Sequence, residues 1–174
     1  MKPPLLRGTL VLLEDKQKSG NIILAKKKHK VGIGCWCGYG GKIERGEDIR
    51  TAAIRELGQE SGVFAQRKDL IPVARIDFHN RHGRKGAYTF RVYVYRLSKW
   101  KGLPMESPEM GVPRSFNNRR MPYREMMAGD RLWLPPVLRG EAIVAEVWYG
   151  KDQNALTDKR FEARPATAAE LARL

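Results

Sequence analysis

Residues 41–63, GKIERGEDIRTAAIRELGQESGV, decide how the rest of the chain is read. The apolar residues Ile49, Ala52, Ala53 and Leu57 fall at helical spacing, so a helix is expected over 48–60, with Gly62 as its C-terminal stop. Glu56 and Glu60 are four residues apart, one turn apart on one face, and Gln59 joins that face. Two carboxylates so placed repel each other unless a cation lies between them, and hard oxygen donors of this kind suit Mg²⁺ or Mn²⁺. Glu47 stands near the helix start, where negative charge is favoured, and Arg55 can reach back toward it. The glycines just before the helix can expose a backbone carbonyl to the same metal. A plain solvated helix face carries similar charges, so carboxylate spacing alone leaves both readings open.

The full pattern separates them. Gly41, five residues, Glu47, seven residues, Arg55-Glu56-Leu57, one residue, Gln59-Glu60, one residue and Gly62-Val63 resemble the signature of the Nudix hydrolase family. The one departure is Gln59, where that signature has a glutamate. The resemblance implies that Glu56 and Glu60 are metal ligands, that the Gly41 carbonyl completes the site, and that an Arg55–Glu47 salt bridge orients the catalytic helix. Gln59 would then be a neutral oxygen donor in a site with one less negative charge than usual.

The resemblance extends from about Thr9 to about Tyr149. GCWCGYGGKIERGE (34–47), ESPEM (106–110) and DRLWLP (130–135) occur in the same order as in the branch of the family that hydrolyses oxidised purine nucleoside triphosphates. It implies the Nudix fold, an α/β (α+β) architecture with a mixed β-sheet sandwiched between helices. It also implies hydrolysis of a purine nucleoside triphosphate, oxidised or not, to the monophosphate and pyrophosphate. Glu109 would be a further metal ligand; read alone it is an ordinary loop carboxylate. Thr9, Lys27, Asp130 and Trp133 would line the nucleotide pocket. Read alone, Lys27 is one solvated lysine in the basic run KKKHK, and Trp133 is a core aromatic. The base-reading positions depart from the family. Cys37 replaces an asparagine, and a thiol cannot reproduce a bidentate amide contact. Gly129-Asp130 replaces two aspartates, and Met127 replaces a stacking tryptophan, although a thioether still packs on a base.

Composition frames these expectations. The 174 residues fit one domain, read as 1–164, followed by a tail, 165–174, in which Thr167 and Glu170 form a capping-box pattern for a short helix. A formal net charge of +14 favours a polyanionic partner. Besides a free nucleotide, an RNA 5′ end fits, held by the basic stretches HNRHGRKG (79–86) and FNNRRMPYR (116–124). A catalytically weak nucleic-acid-binding module on the same fold is a third reading, against which Glu56, Glu60 and Glu109 speak. Cys35 and Cys37 do not make a disulfide framework, and with the three histidines they lack zinc-ligand spacing. No run approaches the ~20 apolar residues of a membrane span. A cytoplasmic protein without a membrane partner is expected; oligomeric state is not legible.

Strands are expected at 9–13 and 21–25, joined by the loop DKQKSG, and at 70–78, 89–97 and 142–149. In TFRVYVYRL, Phe90, Val92 and Val94 face one way and Arg91, Tyr93 and Tyr95 the other. Residues 79–86 are expected as a basic turn and 104–124 as irregular chain. Pro135 and Pro136 would confine a helix over 130–138 to a start or a bend.

Overall fold

A computed structural model describes residues 3–82, 86–150 and 155–174. Its strands are β1 (Leu5–Glu14), β2 (Asn21–Lys26), β3 (Trp36–Cys37), β4 (Ile71–His82), β5 (Gly86–Leu97), β6 (Arg114–Asn117), β7 (Ile143–Tyr149) and β8 (Leu156–Pro165). The helices are α1 (Ile49–Ser61), α2 (Asp130–Leu138) and α3 (Ala168–Leu171). The sheet runs β3-β2-β1-β5-β4-β7-β8, with β6 also paired to β2. The β1/β5 and β4/β7 pairs are parallel and the others antiparallel, so the sheet is mixed.

Strand alternation sorts the core into two layers. Val11 and Leu13 of β1, with Tyr93, Tyr95 and Leu97 of β5, pack with Ala53 and Leu57 of α1. Leu12, Val92 and Val94 pack on the opposite face with Trp133, Leu134 and Val137 of α2. Each such side chain contributes about 1.5–3 kcal/mol by leaving water. The expected mixed sheet between helices is what forms.

The β1/β2 hairpin is a fork. The two strands pair only near their turn, at Leu13↔Ile23 and Glu14↔Ile22. Beyond it, residues 36–42 bridge them. Trp36 and Cys37 pair with Lys26 and Ala25, while Val11 N donates to the Tyr39 carbonyl (2.6 Å) and Thr9 N to the Gly41 carbonyl (2.9 Å). This fork delivers the glycine-rich segment to the front of α1.

Several expectations need correction. The stretch 79–86 is mostly strand: the antiparallel ladder continues through Asn80↔Tyr88 to His82↔Gly86. Residues 83–85 of the expected turn lie outside the described residues. Backbone pairing is indifferent to basic side chains that point out of the ladder. Residues 104–124 contain β6, whose ladder with β2 includes Ile22↔Phe116, and a one-turn 3₁₀ helix begins at Tyr123. Helix α2 runs through Pro135 and Pro136 to Leu138. The two missing N–H groups are offset by burial of Trp133, Leu134 and Val137 and by Arg139 N, which donates to both proline carbonyls at 3.1 Å. Strand β8 carried no legible alternation. After it the Thr167–Glu170 capping box forms, and the tail packs back on the sheet: the Tyr95 hydroxyl donates to the Leu174 carbonyl, and Leu174 is buried.

Candidate active site

Helix α1 begins where Asp48 Oδ1 accepts from Thr51 N (3.1 Å) and ends at Gly62, whose φ of 72° is a left-handed cap that favours glycine. Ala52, Ala53 and Leu57 bury one face, which turns Glu56, Gln59 and Glu60 toward the fork between β1 and β2.

Arg55 is the hub of this face. Its Nε and Nη2 grip the two carboxylate oxygens of Glu47 at 2.8 and 2.9 Å. Nη1 donates to Glu56 Oε1 (2.8 Å) and Gln59 Oε1 (3.2 Å), and Nη2 also reaches the Lys42 carbonyl (3.1 Å). The guanidinium beside it holds the Glu47 carboxyl below the usual carboxylate range, and the same pairing raises Arg55. A planar fork with five donors suits this set of acceptors, which an ammonium could not match.

Glu60 is the most enclosed carboxylate here, 2% exposed. Its Oε2 accepts from Gly40 N at 2.7 Å. Burial pushes its pKa up to about 7; the Gly40 N–H and Lys27 work against that, and Glu56 and Glu109 add to it. Glu109 is brought near by the segment after Lys101. Met105 N donates to the Ser61 carbonyl (2.9 Å), Lys28 N to the Glu109 carbonyl (2.9 Å), and Met110 is fully buried against the α1 face. Glu109 itself pairs with Lys30 at 3.2 Å.

These carboxylates fit a hard divalent cation in chemistry. They are oxygen donors, and their mutual repulsion is felt by Glu60. Gly41 makes room for Glu56, since a Cβ there would lie 2.7 Å from both carboxylate oxygens. Among the described residues no three His, Cys, Asp or Glu side chains stand close enough to hold a metal ion. Arg55 holds Glu56 and Lys30 holds Glu109, so a cation would exchange with these partners.

The positions expected to meet the nucleotide gather around Cys37. Burial raises its thiol to about 12; Lys27 opposes the shift, while Glu60, Asp130 and Cys35 add to it. Both cysteines are free thiols. Met127 and Lys27 meet over Gly32, whose added Cβ would lie 3.4 Å from the Met127 sulfur and 3.8 Å from Lys27 Cδ. Asp130 is buried, which pushes its carboxyl up to about 7 against donation from Trp133 Nε1 (2.9 Å) and Met127 N (3.1 Å). Trp133 is 2% exposed in the α2-side core, so it props Asp130 from within the core. The Thr9 side chain is buried, and its Oγ1 has no hydrogen-bond partner among the described residues.

Sequence reasoning missed three contributors. The Gly40 N–H and the Lys42 carbonyl are backbone groups, signalled only by the glycine run. Tyr149 carried no signal: its hydroxyl accepts from Gly129 N (3.1 Å) and stands 2.6 Å from where a Gly129 Cβ would be. That contact explains why residue 129 has no side chain.

Residues 4–139 match the family model described as NUDIX domain. The chain is 35% identical over 131 residues to the oxidized purine nucleoside triphosphate hydrolase of Danio rerio, covering 75% of this chain and 78% of that protein. The protein of the same description from Mus musculus is 33% identical with the same coverage. In fold, the chain is similar to the crystal structure of the mutator MutT protein from Bacillus halodurans, with a TM-score of 0.75 and 20% identity, over 93% of this chain and 99% of that one.

Proposed function

The chain belongs to the Nudix family, and on that premise we propose that it hydrolyses a purine nucleoside triphosphate, oxidised purines included, to the monophosphate and pyrophosphate. The observation that carries this reading is the buried Glu60 carboxylate, held by the Gly40 N–H on the same helix face as Glu56. Members of the family generally use divalent metal ions. Glu56, Glu60, Glu109 and the Gly41 carbonyl would hold Mg²⁺ or Mn²⁺, with Gln59 beside them. The Gly41 oxygen accepts from Thr9 N and retains a second lone pair. A divalent cation held by these residues would supply charge against the phosphate oxygens and would lower the pKa of a water molecule.

The protein's own groups bind and orient. Arg55, clamped on Glu47, keeps Glu56 and Gln59 aligned along α1. Lys27 supplies a point charge for the phosphates. Cys37, Met127 and Asp130 meet the base, with Trp133 behind Asp130 and Thr9 bonded through its N–H to the Gly41 carbonyl. A thiol in place of an amide leaves base discrimination to Asp130 and to packing on Met127. A reducing compartment, the cytoplasm, suits two free thiols at the site. No helix among the described residues is long and apolar enough to cross a membrane.

Glu60→Gln tests the assignment. Mg²⁺-dependent release of pyrophosphate should fall by about 10²-fold or more while circular dichroism and thermal unfolding show a folded protein. Wild-type turnover would overturn it. A panel of normal and oxidised purine nucleotides beside 5′-triphosphorylated RNA ranks the substrates; an RNA end cleaved far faster than any free nucleotide would replace the mononucleotide reading.

A further inference from the structure

We propose that the arginine-lined groove between the turn after β6 and the end of α2 binds the sugar-phosphate backbone of a single-stranded nucleic acid. This site contains none of the residues assigned to hydrolysis, so it stands whether or not that assignment does. The groove encloses about 1130 Å³, more than the ~300–1,000 Å³ of clefts that hold one small ligand.

Its chemistry suits a nucleic acid. Arg119 and Arg120 are exposed on one wall, and among the described residues neither has an ion-pair partner. Their turn is held by Asn117, whose Oδ1 accepts from Arg119 N (3.0 Å) and whose carbonyl accepts from Arg120 N (2.8 Å). Arg139 also lines the groove, and its carboxylate partner among the described residues, Glu141 at 2.8 Å, is itself half exposed. The half-buried ring of Tyr123 lines the same groove with Pro135 and Leu138, an apolar stretch on which a base can stack. Asn118 has a buried Oδ1 without a partner among the described residues, so its amide can turn to meet a base or ribose hydroxyl.

A smaller cavity of about 240 Å³ shares Ser19, Gly20 and Asn118 with the groove and is lined by Glu14 and Asp15. There Glu14 is paired with Arg96 (2.6 Å), Asp15 accepts from Ser115 Oγ (2.6 Å), and Lys16 adds a further cation to the lining.

The test is fluorescence anisotropy with a 12-nucleotide RNA bearing a 5′ hydroxyl and a 3′ fluorophore, in EDTA, so that neither metal nor a triphosphate end takes part. Binding should weaken with salt, with log K falling by about 0.7 per phosphate contact in log[KCl]. Arg119→Gln combined with Arg120→Gln should weaken binding at least about tenfold and reduce the slope by about 1.4, leaving mononucleotide hydrolysis and thermal unfolding unchanged. Tyr123→Leu should weaken binding about fivefold or more without changing the slope. Single-stranded DNA of equal length identifies which nucleic acid is preferred. Failure to bind either strand at 50 mM KCl would overturn the proposal. So would an unchanged Kd in the double variant, or equal competition by inorganic polyphosphate.

Discussion

A Cβ atom on Gly41 would stand 2.6 Å from Cδ of Glu56, so the segment that bridges the β1/β2 fork and the first carboxylate of α1 share one space. The fork brings the backbone in, and the missing side chain lets Glu56 lie against it. Neither Glu56 nor the backbone can retreat freely, because Arg55 holds the carboxylate and Thr9 N holds the Gly41 carbonyl.

Gly41→Ala should therefore displace Glu56 rather than be absorbed. A stability loss of about 1–3 kcal/mol is expected from overpacking. Turnover should fall by about 10²-fold, and the Mg²⁺ concentration for half-maximal rate should rise. A variant with wild-type kcat and unchanged Mg²⁺ dependence would show that this contact does not position Glu56.

Arg55→Lys keeps the charge and loses the fork. One ammonium cannot serve both Glu47 oxygens together with Glu56, Gln59 and the Lys42 carbonyl. Chemical denaturation should report a loss of about 1–3 kcal/mol, since the pair is largely but not wholly withdrawn from water. Hydrolysis should fall further than stability does. A lysine variant as active as the wild type would sink the orienting role.

Gln59→Glu tests the departure from the family signature. Arg55 Nη1 is shared between Glu56 at 2.8 Å and Gln59 at 3.2 Å. A carboxylate at 59 would draw that N–H away from Glu56 and add a negative charge to the face proposed to hold the metal. The half-saturating Mg²⁺ concentration should drop about three- to tenfold. If titration of the rate with Mg²⁺ gives superimposable curves, the neutral side chain has no part in metal affinity.

Asp130 gives a pH signature. Its native pKa is raised to about 7 from an ordinary 3.8 by burial. Between those values the native state keeps a proton that the unfolded chain has released, so stability is lost as pH rises through this window and levels off above it. Asp130→Asn removes the titration. The stability difference, variant minus wild type, should climb from pH 4 to pH 7 by at most about 1.4 kcal/mol per unit, then stay flat. Urea denaturation across this range checks it, and a flat difference throughout would mean that Asp130 titrates normally.

The helix, its stop at Gly62 and the Arg55–Glu47 pair were legible because each is encoded within a few residues. Apolar positions at 3.6 spacing, a glycine just past the last of them and charges two turns apart are local geometry. The ordered family motifs extended that reading to Glu109 and Asp130. Strand β8, the short β6 and the continuation of α2 through two prolines were not legible. Their stability comes from ladder partners and buried contacts elsewhere in the chain.

What the sequence by itself determined is the identity and local order of the polar groups on α1: Glu56, Gln59 and Glu60 on one helix face, with Arg55 behind them. The tertiary structure decided what each group faces. It put the Gly40 N–H on Glu60, paired Cys37 with Ala25 of β2, turned Trp133 into the core, and placed the Tyr149 hydroxyl where a side chain at 129 would have been. Those relationships join residues far apart along the chain, and only packing and backbone pairing across the fork set their distances.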